Sequence, residues 1–165
     1  MIKRTMVVLA TIAATSAYAG DTPIRGTVES KCSIFTDKSG VYGAPLPNTL
    51  STAPVDGGVV PRIRFDVAKA GYYTAKVEYP TSFTSSPALS DTVAWTGSVE
   101  VSEVTDPAMS AFETNKIEYG SVTEFDLSVA GTFWLDAMSK AEYGVDKSFP
   151  AGSYTAVVVA ECIAK

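Results

Sequence analysis

The chain has 165 residues, 13 of them basic and 18 acidic, and contains no histidine. Without imidazole there is no Ser-His-Asp or Cys-His arrangement, no ordinary zinc site, and none of the commonest general base at neutral pH. The formal charge of −5, with no basic cluster beyond Arg62 and Arg64, argues against nucleic acid or an anionic membrane surface as a partner.

The N-terminus reads as a secretory signal over residues 1–19. Lys3 and Arg4 form a cationic start, residues 6–14 an apolar run, and Ala17-Tyr18-Ala19 a small-residue cleavage site. That run is shorter than the roughly 20 residues a membrane span needs, and it lacks the amphipathic period of a core helix. No later segment is apolar for long enough to span. The expectation is therefore a secreted protein, more acidic once Lys3 and Arg4 are removed. Residues 20–28 then form an extension or first strand, and residues 29–165 a single domain. Cys32 and Cys162 are the two cysteines. In an oxidising compartment they are expected to pair, the alternative being two separate buried thiols.

From there the chain alternates with a period of two. Pro45, Pro47, Pro54 and Asp56-Gly57-Gly58 mark a long loop. Residues 59–67 place Ile63, Phe65 and Val67 on one face and Arg62, Arg64 and Asp66 on the other. After Lys69-Ala70-Gly71, residues 71–79 turn Tyr73, Ala75, Val77 and Tyr79 inward. A Ser/Thr/Pro-rich loop follows over 80–87. Val93, Trp95, Gly97, Val99 and Val101 form the next run, and Phe125, Leu127 and Val129 another. Ala130-Gly131 then leads to the short apolar piece Phe133-Trp134-Leu135. Residues 136–143 are the one stretch read as a helical turn. After the turn Phe149-Pro150-Ala151-Gly152, residues 153–163 are apolar on both faces, which predicts a strand in the middle of the fold. Seven to nine short strands at this spacing predict an all-β class and a β-sandwich.

No catalytic constellation accompanies this pattern. Glu100 with Glu103, or Glu113 with Glu118, could in principle pair as acids, but alternation puts Glu100 on a solvated strand face. Gly57-Gly58 lacks the Lys-Ser/Thr of a nucleotide loop, and Asp37 and Asp56 lack calcium-loop spacing. Neither enzymatic activity nor a cofactor is expected. Trp95, Trp134 and the tyrosines fit either a sandwich core or a sugar-stacking surface.

The segment Ile24-Arg25-Gly26-Thr27-Val28-Glu29-Ser30-Lys31-Cys32 resembles the opening of chaperone–usher fimbrial subunits, in which a Gly-x-Val strand leads to a cysteine. Residues 149–159 are similar to that family's last strand after a Pro/Gly turn. The resemblance implies an immunoglobulin-like antiparallel β-sandwich lacking one strand, whose groove accepts an extended segment of the next subunit. It further implies a structural subunit of a surface filament, a periplasmic assembly chaperone as partner, and a route through the periplasm to the cell surface. Thr22, Ile24, Gly26 and Val28 share one face, as a donor strand requires. The alternative expectation is a secreted monomeric sandwich binding a carbohydrate or peptide, with Trp95 or Trp134 exposed.

Overall fold

The computed structural model describes residues 31–165, so the signal sequence, the extension at 20–28 and the donor positions Thr22, Ile24, Gly26 and Val28 lie outside the described residues. Ten strands are described: β1 (Cys32–Lys38), β2 (Gly43–Leu46), β3 (Thr49–Ser51), β4 (Arg62–Val67), β5 (Tyr73–Glu78), β6 (Val93–Val104), β7 (Ile117–Tyr119), β8 (Val122–Asp126), β9 (Gly131–Tyr143) and β10 (Val159–Ala164). A short helix, α1 (Ala111–Asn115), follows a 3-10 turn at Pro107–Ser110.

The strands form two antiparallel sheets that enclose one apolar core, an all-β sandwich. The first sheet runs β1-β4-β9-β3-β2, with β6 on the other side of β9; the second runs β10-β5-β8-β7. Alternation explains the layering. Ile63, Phe65 and Val67 of β4 are buried against Ala75 and Val77 of β5, Phe125 of β8 and Leu127 just beyond it. The outward residues of β4 make ion pairs instead, with Arg62 donating two bonds to Asp136 at 2.7 and 3.0 Å. Such half-exposed pairs contribute little to stability, and the buried face carries the energy.

Strand β9 is the centre of the first sheet. Its residues 131–136 pair with β4, residues 140–142 pair with β3, and its other edge pairs with β6 along most of its length. The helical turn expected at 136–143 is therefore a correction. Ala137, Ser139, Ala141 and Tyr143 are buried on one face of a continuous strand. Three of these inward residues are small, so the hydrophobic alternation is weak in sequence, and pairing on both edges decides the conformation.

The helical segment lies instead at 107–115. Asp106 caps it by accepting from the Ala108 N–H at 2.8 Å, and Pro107 sits in its first turn. It carries Met109 and Phe112 into the core, where Phe112 meets Phe133 edge-on at 5.3 Å and Phe133 stacks on Phe65 at 5.2 Å. The long loop expected around Pro45 to Gly58 contains the hairpin β2–β3. Pro45 is tolerated there because β2 is an edge strand.

Gly97 of β6 is required by a close approach. A Cβ there would stand 2.6 Å from the Met138 carbonyl oxygen and 2.6 Å from Cγ of the Tyr79 ring. Gly97→Ala is expected to cost about 1–3 kcal/mol, measured as a lower urea midpoint at unchanged slope.

The final strand also differs from expectation. Ladder pairing begins at Val159, and β10 lies at an edge of the second sheet rather than in the middle of the fold. Among the described residues it pairs with β5 alone. Val158, Ala160 and Cys162 pack against the core, while Val157, Val159 and Ile163 lie on the outward face and are 52, 47 and 43 % exposed.

Candidate functional site: an opening between the first and last described strands

Cys32 and Cys162 are bonded, with Cα atoms 6.1 Å apart across a sequence separation of 130. The bond joins β1, an edge of the first sheet, to β10, an edge of the second. Beyond it the two strands border a cleft of about 540 Å³, with Ile34 and Thr36 on one wall and Ala156, Val158 and Ala160 on the other. Ile63 and Pro61 contribute apolar surface, and Lys38, Ser39, Tyr42, Thr52 and Ser139 join Thr36 in the polar part of the lining.

Tyr42, Thr52 and Ser139 bond to one another. Thr52 Oγ1 accepts from the Ser139 N–H at 2.9 Å, and the same hydroxyl donates to the Ser139 carbonyl at 3.2 Å. The Tyr42 hydroxyl and Ser139 Oγ are 3.1 Å apart. Burial pushes the Tyr42 phenol above its ordinary pKa, with the Ser139 bond pulling the other way. The phenol is therefore neutral throughout the ordinary pH range, and the cleft presents no charge from its lining apart from Lys38.

The walls offer main-chain groups as well as side chains. The Ala68 N–H donates to the Lys31 carbonyl, which fixes the phase of the β1–β4 ladder. Alternation then turns the N–H and C=O groups of Ile34 and Thr36 away from β4, toward the opening. In the same way the bond from Lys165 N–H to the Tyr72 carbonyl fixes the β5–β10 phase. The main-chain groups of Ala160 and Cys162 therefore also point away from their ladder. Two strand edges thus flank the cleft, with no described strand between them. Main-chain pairing and apolar side-chain burial are what such a site can provide, as in strand addition.

The other sequence candidates do not converge on this cleft. Trp95 and Trp134 lie on opposite faces of the first sheet. Trp95 shares the face of buried Val99, whereas Trp134 lies opposite the face of Phe133 and Leu135 and pairs in register with Arg64 and Glu103. Trp95 packs at 4.7 Å on Phe83, which also contacts Phe149 and Tyr154 in a secondary aromatic core under the connecting loops. Glu113 and Glu118 both bind Lys116, at 2.6 and 3.1 Å. Among the described residues no three of His, Cys, Asp and Glu gather where they could hold a metal ion, and no helix is long and apolar enough to cross a membrane.

Ile34, Thr36, Ala156 and Val158 were not singled out as site residues from the sequence. The available signal was the doubly apolar pattern of residues 153–163, which suits a strand buried on both faces and sits on an edge instead. Scans against protein-family models, curated proteins and solved structures found no match to this chain.

Proposed function

We propose that this protein is a non-enzymatic structural subunit of a bacterial surface filament, joined to its neighbours by strand addition. In this reading the extended segment 20–28 of one copy enters the opening between β1 and β10 of the next. Thr22, Ile24, Gly26 and Val28 face the cleft, and the segment's main chain pairs with the free edges on either side. The observation that carries the reading is the cleft itself, a partly apolar space bordered by two strand edges that have no ladder partner among the described residues and closed at one end by a disulfide. The exported route through the periplasm, and a chaperone that covers the cleft before assembly, belong to the same proposal. A free edge of this kind is prone to wrong pairing until it is filled.

Deleting residues 20–25 tests it. The shortened protein is expected to stay soluble and folded, to form no filaments, and to be capped by an added peptide of residues 20–28. Normal filaments from the deletion variant would overturn the proposal. Electron microscopy and the heat-resistant ladder on unreduced gels provide the readout.

A further inference from the structure

The first sheet has a second long edge, on the side away from β1. Strand β6 spans twelve residues and, among the described residues, pairs with β9 alone. An exposed edge of that length is a template for pairing with another copy. At its middle, however, two side chains occupy the positions of a missing neighbour. Lys116 Nζ donates to the Val99 carbonyl at 3.0 Å, and Glu113 Oε2 accepts from the Val101 N–H at 2.8 Å. A carbonyl and the N–H two residues on are the pair of groups that one strand presents to a strand added alongside it.

The two substitutes are fixed in place. Lys116 and Glu113 are 2.6 Å apart, Glu118 holds the same ammonium at 3.1 Å, and the Lys116 side chain is only 17 % exposed. Directly beyond Val101 the β6–β9 register shifts, so the regular edge also ends there. Together the two devices leave only the first half of β6 free, which shortens the edge available to an added strand.

We propose that Glu113 and Lys116 form a strand-mimicking block that keeps a second copy of this chain from adding to the β6 edge. The block does not depend on the filament proposal, since it concerns the opposite edge of the sheet. It gives the molecule a direction, with one side of the sandwich open to strands and the other closed.

The test is the double variant Glu113→Ala/Lys116→Ala of the full, oxidised protein, followed by sedimentation velocity and light scattering. Self-association is expected to start at a concentration at least tenfold lower than in the parent. Adding Thr96→Lys, which places a charge on the exposed half of the same strand, is expected to reverse it. The control Lys140→Ala/Glu142→Ala removes an exposed ion pair from central strand β9 and is expected to behave as the parent.

Glu113→Ala alone, which leaves Lys116 held by Glu118, repeats the measurement with less strain on the fold and is expected to give a smaller rise. Hydrogen exchange locates the contact. The amides of Trp95, Gly97 and Val101 should gain protection on association, while those of Ile34, Thr36 and Ala160 report separately on the cleft. If both Glu113 variants stay as dispersed as the control, or associate without protecting β6, the block is refuted.

Discussion

Reduction of the Cys32–Cys162 bond is expected to lower stability by about 4–5 kcal/mol, a fall in melting temperature of roughly 10–20 °C. The loop it closes, of 130 residues in sequence, is among the longest a domain of this size allows. Removing the constraint therefore frees much unfolded-state entropy. The position adds a native-state reason. β1 and β10 are edges of different sheets with no ladder between them, so the bond is the covalent tie on the open side of the sandwich. Reduced protein and the Cys32→Ala/Cys162→Ala variant should melt at the same lower temperature. A loss under 1 kcal/mol would show that core packing alone holds the two sheets together. Thermal unfolding with and without reductant makes the measurement.

Phe133→Ala should cost about 3–5 kcal/mol. Phe133 is fully buried, stacks on Phe65 of β4 and receives the edge of Phe112 from α1. It thus ties together the central strand, its neighbour and the helix. Neighbouring side chains are large and constrained by ladders on both sides of β9, so the cavity has little scope to collapse. Equilibrium denaturation in urea is the check, and a cost below 1.5 kcal/mol would mean that the helix repacks into the vacated space. Phe112→Ala, which removes only the edge contact, is expected to cost less than Phe133→Ala.

How legible the fold was depends on which residues carry each strand. β4 and β5 were plain because Ile63, Phe65 and Val67, and then Ala75 and Val77, alternate with charged or polar neighbours. The second half of β9 was not, because Ala137, Ser139 and Ala141 give no hydrophobic contrast and Met138 falls on the opposite face. Its strand character comes from β3 and β6, whose pairing is non-local and has no signature within the segment itself. The short β7 and the helix at 107–115 were missed for different reasons. β7 has only three residues, and the helical segment after Asp106 is made of two pieces of four and five residues, too short to show a period.

The candidate site was half legible. Pairing of the two cysteines followed from compartment chemistry, and it is present. The apolar character of residues 153–163 was also plain, but it was assigned to the interior. Val157, Val159 and Ile163 suit burial yet are near half exposed, and a sequence pattern reports the suitability without the neighbour. The β6 block was invisible for a related reason. Glu113 and Lys116 look like an ordinary helical ion pair, and only the register of β6 brings Val99 and Val101 beside them.

The central place of β9 bears on the order in which the molecule can assemble. Its partners β3, β4 and β6 all precede it in the chain, and none of the three pairs with another of them. Until β9 is available, the first sheet exists only as separate fragments: the β1–β4 pair, the β2–β3 hairpin and a lone β6. Its ladders then close loops of some tens of residues at once, the kind of non-local search that makes β-rich domains slow to fold. A nascent chain lacking residues 131–143 can pair β5, β8 and β7 of the second sheet, but it has no first sheet to close the core against them.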